Sequence, residues 1–355
     1  MSESVNIDGI AYDLDKLKSK WEAILSDVSS PEYQKDIWGF IKHWFDERDH
    51  IEVTTSGSTG SPSLKRIPKR WMSSSAKATA KALDLESSKR AFLCISTRHI
   101  GGMMMIVRSL EIGLSLITSA PVRKPIVDQK MDFTAMVPLQ VKSILESGGS
   151  LLQFGTIIIG GAPMDSRTEK QLKSLETPIF STFGMTETVS HIALRRLSGE
   201  LATDVFETLP EVRVSSNAEG RAQVHIPYFD DLTLISNDHI EIIDPQHFLW
   251  IGRLDNVINS GGLKIYPESV EAKLADLVDQ IFFIYKQTDS VFGEVSVLCL
   301  EGKSADEDQI KAAIRSIGDS KLRPKIVYLI EEFIRTETGK IQRALSFNQE
   351  KRRLF

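Results

Sequence analysis

Between residues 71 and 182, short apolar segments alternate with longer segments of helical periodicity. An alanine-rich helical pattern covers residues 71–85. The apolar runs after it occupy residues 91–95, 115–118, 156–159 and 178–182. Strands that alternate with helices pack into a sheet whose crossover helices cover its faces. This alternation predicts an α/β fold, and it constrains the architecture more than any other feature of the chain.

The pattern differs on either side of this region. Two amphipathic helices, built on Leu14, Leu17 and Trp21 and on Ile37 and Ile41, come first, followed by a short strand at residues 51–53. Beyond Pro210 the chain predicts short strands at residues 222–226, 232–235 and 239–243. The last hundred residues predict helices at 268–277 and 306–317 and strands at 281–286, 295–300 and 325–330. With 355 residues, we expect a large α/β domain and a small C-terminal α+β domain.

Composition excludes several classes of protein. The net charge of -5 argues against a nucleic-acid-binding protein, whose surface is normally basic. The N-terminus lacks the basic and apolar regions of a secretory signal, and the apolar window 103–117 is short and interrupted by Arg108 and Glu111. The two cysteines, Cys94 and Cys299, lie in apolar surroundings. We expect a cytoplasmic protein without membrane insertion.

The stretch TSGSTGSPSLK, residues 55–65, combines glycines, hydroxyl side chains and a lysine. Converging backbone N–H groups and hydroxyls in such a loop can hold phosphate oxygens, and a lysine adds positive charge. The stretch does not match the Walker pattern, because neither glycine begins the required spacing and no Ser or Thr follows Lys65. A solvated Ser/Gly linker is the alternative interpretation.

Four further stretches have compositions typical of binding sites. IIIGGAP, residues 157–163, is an apolar strand that ends in two glycines, and a flat ligand can lie against such bare backbone. STFGMTET, residues 181–188, ends in a pair of oxygen-bearing side chains suited to Mg²⁺. WIGRLDNVINSGG, residues 250–262, lies where the sequence texture changes, and RTETGKIQR, residues 335–343, presents a lysine after a glycine.

In this order, the five stretches resemble the adenylate-forming superfamily of acyl-CoA synthetases, peptide-synthetase adenylation domains and luciferases. The resemblance runs from about Val53 to Arg343. It implies the adenylate-forming enzyme fold, with an ATP- and acyl-binding domain at residues 1–254 and a mobile domain at residues 255–355. Members of the superfamily typically carry a longer region before the phosphate loop, so the fold is shortened at its N-terminus here.

The resemblance also implies a set of nucleotide-binding residues. The phosphates of ATP would contact Thr55, Ser56, Gly57, Ser58, Thr59, Gly60 and Lys65, although Lys65 stands two residues later than usual. Adenine and ribose would contact Gly160, Gly161, Ala162, Phe183, Gly184, Asp238 and Arg253. Glu187, beside Thr186, would hold Mg²⁺. Phe183 replaces the usual tyrosine but keeps a ring face for stacking.

The resemblance assigns the chemistry to Lys340, whose ammonium would stabilise negative charge as a carboxylate attacks the α-phosphorus of ATP. Rotation about a hinge at Asp255 would then remove Lys340 and present Gly261 and Gly262, which would line a tunnel for the CoA thiol. ATP, Mg²⁺ and CoA are therefore the implied cofactor and co-substrates.

The segment STRHIGGMMMIVRSLEIG, residues 96–113, and the segment SHIALR, residues 190–195, resemble those that border the acyl pocket. His99, Ser190 and His191 would line it, and Arg195 is a candidate partner for a second substrate carboxylate; a surface charge is the alternative for Arg195. The motifs are most similar to short o-succinylbenzoate-CoA ligases of menaquinone biosynthesis. An adenylation enzyme that loads a carrier protein, and a non-catalytic nucleotide-binding protein, remain alternatives. A homodimer is possible in each case.

Overall fold

The computed structural model describes residues 4–55, 63–336 and 339–355. The chain divides into two compact units. Unit 1 consists of Met1–Gly161, Leu172–Arg213 and His225–Leu232, and unit 2 consists of Ala162–Gln171, Val214–Val224 and Thr233–Phe355. None of the helices in the described ranges is long and apolar enough to cross a membrane.

Unit 1 contains the alternating elements that the sequence predicts. Its strands are β1 (Val5–Ile7), β2 (Ile10–Tyr12), β3 (His50–Thr55), β4 (Ser63–Pro68), β5 (Arg90–Leu93), β6 (Ser115–Thr118), β7 (Met131–Met136), β8 (Phe154–Ile159), β9 (Ile179–Gly184), β10 (His191–Arg196) and β11 (Val205–Thr208). Its helices are α1 (Leu14–Ser26), α2 (Glu32–Trp44), α3 (Lys69–Leu83), α4 (Ile100–Ile112) and α5 (Pro138–Glu146). The predicted helix at residues 71–85 is α3, which begins two residues earlier because Pro68 precedes its first turn.

The sheet of unit 1 has a parallel centre in the order β9-β8-β7-β5-β6-β1. β10 and β11 extend one side antiparallel, and β2 closes the other. Central strands such as β7 and β8 are apolar over consecutive buried residues, as expected for strands covered on both faces. β3 and β4 form a separate antiparallel hairpin. The predicted α/β architecture of this region is confirmed.

Unit 2 combines an antiparallel region with a second sheet. Its helices are α6 (Ser166–Lys173), which ends in unit 1, α7 (Pro267–Leu274), α8 (Glu307–Ser316) and α9 (Arg343–Phe347). Its strands are β12 (Arg213–Ser216), β13 (Arg221–Ile226), β14 (Leu232–Asp244), β15 (His247–Arg253), β16 (Ile258–Ser260), β17 (Leu263–Ile265), β18 (Phe282–Asp289), β19 (Gly293–Glu301), β20 (Ile326–Ile330) and β21 (Arg352–Arg353). β14 and β15 pair antiparallel, and β16 to β21 form the second sheet.

The second sheet packs against α7 and α8 around an apolar core that includes Ile265, Val270, Leu298, Ile310 and Val327. Here the sequence predicts the elements well, with α7 ending three residues earlier than expected. Farther upstream, the two strands predicted at residues 232–235 and 239–243 are one continuous strand, β14. The predicted domain boundary after residue 254 concerns which part of the chain moves, and it stays a prediction.

Candidate active site

The hairpin β3–β4 places Lys65 opposite a carboxylate from another part of unit 1. Lys65 pairs with Val53 in the hairpin, and its Nζ donates a hydrogen bond of 2.9 Å to Oε1 of Glu187. Burial tends to raise the pKa of Glu187, but the hydrogen bond and charge of Lys65 outweigh it and lower that pKa. Glu187 is therefore ionised at neutral pH, which a ligand for Mg²⁺ requires.

Most of the predicted phosphate loop lies outside the described residues. Ser56, Gly57, Ser58, Thr59 and Gly60 lie outside the described residues, and only the backbone of Thr55 is described. Their contacts with phosphate stay predictions.

The turn after β9 presents Glu187 through a strained backbone. Residues Thr186–Thr188 form a single 3-10 turn, in which Thr188 Oγ1 accepts a hydrogen bond from the backbone N–H of Met185 at 2.9 Å. Val189, which follows, has a φ of 65°. A β-branched residue rarely adopts this left-handed conformation, and such strain is often found at functional sites. The turn sends Glu187 toward Lys65 and starts β10 immediately after Ser190.

A buried cation lies beside the first residues of β10. Arg108, on α4, is 1% exposed, and its Nη2 donates to Oγ of Ser190 at 2.9 Å. Its Nε has no hydrogen-bond partner, and it forms no ion pair with any carboxylate in the described part of the chain. Burial lowers the pKa of Arg108 to about 10, which still leaves the guanidinium charged at neutral pH.

His191 completes this cluster in an uncharged form. Its Nδ1 lies 3.3 Å from Oγ of Ser190, and its Nε2 lies 3.3 Å from Oγ1 of Thr79 on α3. Burial, reinforced by the charge of Arg108, holds the pKa of His191 well below its ordinary value. Arg108, Ser190 and His191 therefore form a polar site inside unit 1 that carries one net positive charge.

Two other residues predicted for the acyl pocket lie elsewhere. His99 is exposed at the N-terminal end of α4. Arg195 already has a carboxylate partner, because its Nη1 lies 3.0 Å from Oδ1 of Asp204, and its guanidinium lies over the ring of Phe206. Of these two arginines, Arg195 has a carboxylate partner, and Arg108 has none among the described residues. The roles of His99 and Arg195 toward a substrate stay predictions.

The residues predicted to contact adenine lie at the ends of β8 and β9. Gly160 leaves room for Thr182, whose Oγ1 would be 2.5 Å from a Cβ at position 160. Gly184 is equally constrained, since a Cβ there would be 2.4 Å from the carbonyl oxygen of Ser190. Phe183 is mostly buried against Phe206, with ring centroids 5.8 Å apart. The stacking role of Phe183 and the contacts of Gly161 and Ala162 stay predictions.

In unit 2, β14 and β15 bring the predicted ribose-binding residues together. Asp238 and Arg253 are direct partners in the ladder, with Nη1 of Arg253 3.9 Å from Oδ2 of Asp238. The buried Asp238 also accepts a hydrogen bond of 2.9 Å from Nε1 of Trp250. Arg253 donates to Asp255 at 2.7 Å. The sequence did not predict Trp250 as a partner, although it lies in a stretch already marked as a site.

The predicted catalytic residue Lys340 makes two contacts with Thr336, and its pKa is influenced by Asp238 and Arg253. The backbone N–H of Thr336 donates to the carbonyl of Lys340 at 2.9 Å, and the N–H of Lys340 donates to Oγ1 of Thr336 at 3.1 Å. Desolvation, followed by the positive charges of Arg253 and Arg343, lowers the pKa of Lys340, and Asp238 opposes them. The predicted catalytic lysine and ribose-binding residues of unit 2 thus form one electrostatic cluster.

A sequence profile of AMP-binding enzymes matches residues 17–216, which is more than half of the chain. The chain belongs to the AMP-binding enzyme family. It is 25% identical to the 2-succinylbenzoate–CoA ligase of Listeria monocytogenes over 351 residues, covering 90% of this chain and 73% of that ligase. The corresponding ligase of Enterococcus faecalis is 23% identical and covers 84% of this chain and 69% of its own.

Solved structures agree with this assignment. An acyl-CoA synthetase (AMP-forming)/AMP-acid ligase II-like protein from Dyadobacter fermentans is 31% identical, with a TM-score of 0.62, and the match covers 93% of this chain and 97% of that one. The o-succinylbenzoate CoA synthetase of Bacillus subtilis, in complex with its acyl-adenylate intermediate, gives a TM-score of 0.70 at 18% identity, covering 84% and 69%. The predicted adenylate-forming fold and superfamily are confirmed.

The residues of this AMP-binding enzyme suit Mg²⁺ bound through a nucleotide. No group of three or more His, Cys, Asp or Glu side chains that could enclose a metal occurs in residues 4–55, 63–336 and 339–355. Mg²⁺ commonly takes one or two carboxylates and completes its shell with phosphate oxygens and water. Glu187, ionised and next to Thr186, fits that donor set.

If Lys340 is catalytic in this AMP-binding enzyme, activity should decline at alkaline pH, and it should do so below the ordinary pKa of lysine. Because the pKa of Lys340 is below its ordinary 10.5, the ammonium loses its proton at a lower pH than a free lysine. We expect adenylate formation to decline with an apparent pKa below 10.5, and the decline to move to higher pH in Arg253→Gln, which lacks a neighbouring charge. Acid-dependent pyrophosphate exchange measured between about pH 7 and 11 tests this.

The pH at which activity declines, not the absolute rate, is the quantity to compare, because Arg253 is itself a predicted ribose contact and its loss can lower the rate at every pH. If activity declined at the same pH in the wild type and in Arg253→Gln, the decline could not be assigned to Lys340. The same pKa shift also affects the free energy of unfolding, because the folded protein holds the Lys340 proton more weakly than the unfolded chain does. The resulting destabilisation is therefore present below the folded pKa and disappears as the pH rises toward 10.5.

Proposed function

We propose that this protein is an ATP-dependent acid:CoA ligase that converts o-succinylbenzoate to o-succinylbenzoyl-CoA, a reaction of menaquinone biosynthesis. A carboxylate of the acid attacks the α-phosphorus of ATP, and pyrophosphate leaves. The CoA thiol then attacks the acyl carbon, its proton is lost, and AMP leaves. The curated relatives named 2-succinylbenzoate–CoA ligase, matched over most of their length, support this assignment.

The observation that carries the choice of acid is the buried Arg108. A buried guanidinium without a carboxylate is destabilising, because no ion pair offsets the desolvation of its charge. A substrate with two carboxylates would provide that ion pair: one carboxylate would react, and the other would bind Arg108 through two parallel hydrogen bonds. A fatty or simple aromatic acid has no second carboxylate. o-Succinylbenzoate is such a dicarboxylic acid, and its aromatic ring suits the largely apolar α4.

The neighbours of Arg108 would fix the orientation of this second carboxylate. Ser190 accepts a hydrogen bond from Nη2, and Nη1 donates to the sulfur of Met105 at 3.9 Å. Nε has no partner and would be available to the substrate carboxylate. His191 stays neutral, because its pKa is well below the ordinary value. The site therefore binds a monoanionic group without further charge compensation.

The remaining site residues have distinct tasks in the reaction. Lys65 would contact the β- and γ-phosphates, and Glu187 would hold Mg²⁺, which would supply charge neutralisation for the leaving pyrophosphate. Asp238 would accept hydrogen bonds from the ribose hydroxyls. Lys340 would place positive charge at the α-phosphoryl group, where negative charge develops. A hinge at Asp255 and a thiol path along Gly261 and Gly262 belong to the same proposal.

The glycines of that path have the backbone freedom that the role requires. Gly261 and Gly262 have φ values of 55° and 83°, and nothing lies within 4 Å of a Cβ placed at position 262. Open space at an exposed glycine turn permits close approach of a pantetheine arm.

A cytoplasmic location and a homodimer complete the proposal. Cys94 and Cys299 are free and buried, as expected for a protein of a reducing compartment. Light scattering coupled to size-exclusion chromatography tests the homodimer.

The decisive assay measures AMP release from ATP with CoA and a panel of acids. o-Succinylbenzoate is expected to give the highest kcat/KM, with benzoate, succinate and a long-chain fatty acid far below it. AMP release should require both acid and CoA. Acid-dependent pyrophosphate exchange that CoA does not convert to thioester would instead support a carrier-protein acceptor, and no exchange with any acid would refute ligase activity.

A further inference from the structure

A buried carboxylate in unit 2 lies between two segments. One carries Arg253, and the other is the stretch from Arg335 to Arg343, which includes the Lys340 loop (Arg335 to Ile341). Glu268 is the second residue of α7, and its side chain is 9% exposed. Its Oε1 accepts a hydrogen bond of 2.5 Å from Nδ2 of Asn256. On the other side, Nη2 of Arg343 lies 3.7 Å from the same oxygen. One carboxylate thus faces both segments.

The contact with the first segment is close at two points. Asn256 ends the 3-10 turn Leu254–Asn256, and Gly252 directly precedes Arg253. A Cβ at position 252 would be 2.6 Å from Oε2 of Glu268, so only glycine leaves space for this carboxylate. Glu268 therefore binds Asn256 on one side of Arg253 and packs closely against Gly252 on the other.

The residues on either side of the Lys340 loop contact one another and Glu301. Arg335 and Ile341 pair across the Lys340 loop, and the N–H of Gln342 donates to the carbonyl of Ile334 at 2.8 Å. Arg335 binds Glu301 through two hydrogen bonds, of 2.7 and 2.6 Å. Arg343 follows directly after Gln342, so the contacts of Arg343 act on the C-terminal end of the segment that carries Lys340.

Arg343 in turn depends on acidic partners from α7. Its Nη2 donates to Glu271 at 2.9 Å, and its Nη1 donates to the carbonyl of Ile284 at 3.2 Å. Glu268 and Glu271 together surround one guanidinium, so the cluster has one excess negative charge. Burial, with the charge of Glu268, raises the pKa of Glu271, although Arg343 opposes the shift.

We propose that Glu268 is a positioning residue: by binding Asn256 and facing Arg343, it holds the Lys340 loop in register with Arg253 and Asp238. The carboxylate does not reach the reacting atoms. It acts by fixing two segments whose charged side chains must act on the same nucleotide. A displacement of about 1 Å at a reacting group can reduce a rate roughly a hundredfold, so such a residue affects catalysis strongly.

The test uses the full chain with Glu268→Ala and Glu268→Gln, and Glu331→Ala as the matched control. Glu331 is an exposed glutamate of unit 2 that pairs with Lys303 at 2.8 Å. Because the inference rests on the proposed function, the first readouts are the two half-reactions: acid-dependent pyrophosphate exchange, and thioester formation from chemically prepared adenylate. The second is hydrogen exchange at residues 253–257 and 334–343, which needs no acid substrate.

We expect Glu268→Ala to slow pyrophosphate exchange by roughly tenfold to a hundredfold while changing thioester formation by less than about threefold. Glu268→Gln keeps an acceptor for Asn256 but no charge toward Arg343, and it should fall between Ala and wild type. Hydrogen exchange should accelerate in both segments for Glu268→Ala, with the control unchanged.

Equal loss in both half-reactions, or a rate equal to that of Glu331→Ala, would overturn the inference. Unchanged hydrogen exchange in both segments would overturn it as well. If the wild-type protein activates none of the acids, the proposed function fails, yet accelerated exchange in the two segments would still support the coupling through Glu268.

Discussion

Replacing Lys340 by alanine is expected to reduce acyl-adenylate formation by roughly two to three orders of magnitude, because a preorganised positive charge is lost from the developing transition state. The thiol step from preformed adenylate should be largely retained, since Lys340 acts only in the first half-reaction. Rapid-quench measurement of adenylate formation, and of thioester formation from synthetic o-succinylbenzoyl-adenylate, separates the two steps.

The environment of Lys340 makes this result informative. Its pKa is lowered by desolvation and by Arg253 and Arg343, so the folded protein spends free energy to keep a cation there. Lys340→Ala should therefore not destabilise the protein, and its Tm should equal or exceed that of wild type. Lys303→Ala, which removes an exposed lysine of the same unit, is the control. Equal loss of both half-reactions would contradict the role assigned to Lys340.

The second large effect is expected for Arg108→Met. This variant should lower kcat/KM for o-succinylbenzoate by roughly a hundredfold or more, because truncating one partner of a buried charge pair costs several kcal/mol. A monocarboxylic acid such as benzoate should lose much less, since it has no second carboxylate to bind. The ratio of kcat/KM values for the two acids is the measurement.

Stability should change in the opposite direction. The free protein buries the Arg108 charge without a carboxylate from the described residues, so an apolar side chain of similar length should raise the Tm by a few degrees. Lower activity with higher Tm is a combination that simple misfolding cannot produce. Arg195→Met is the control, because Arg195 is paired with Asp204. An unchanged ratio in Arg108→Met, or a collapse of the ratio in Arg195→Met, would remove the argument for a dicarboxylic acid.

Arg108 also shows where reasoning from sequence alone stopped. The sequence places it inside an apolar window, where it serves only to exclude a membrane span. A charged residue within an apolar helical run is nevertheless a signal, because such a side chain is rarely buried without a purpose. Arg195 is the candidate that the sequence offers, with a surface charge as the alternative, because it follows the Glu187 motif. Its position in the sequence does not reveal its ion pair with Asp204.

Local patterns predict the fold well where burial and periodicity agree. The parallel strands β5, β6 and β8 follow from short apolar runs, and α8 follows from its helical spacing, with Asp306 as its N-cap. The continuous β14 was divided in two because polar residues at 236–238 interrupt its apolar pattern. Among those residues, Asp238 contacts Trp250 and Arg253. The interruption therefore marks a polar cluster, which is the predicted ribose site, rather than the end of a strand.

Long-range partnerships were the part that the sequence could not predict. Lys65 and Glu187 are 122 residues apart, and their hydrogen bond depends on how the β3–β4 hairpin lies against the turn after β9. Glu268 and Arg343 are likewise brought together by tertiary packing. The resemblance to a family supplied the roles of individual residues, but only the folded chain shows which side chains share a proton or a charge.

The left-handed Val189 has a consequence for anyone who wishes to redesign this protein for other acids. Within four consecutive residues, the chain passes from Glu187, the proposed Mg²⁺ ligand, to Ser190, whose hydroxyl accepts a hydrogen bond from Arg108. A substitution that changes this backbone conformation would shift both side chains. Selectivity for the acid and handling of the nucleotide are therefore difficult to evolve separately, and libraries aimed at new substrates should vary α4 and leave residues 187–190 intact.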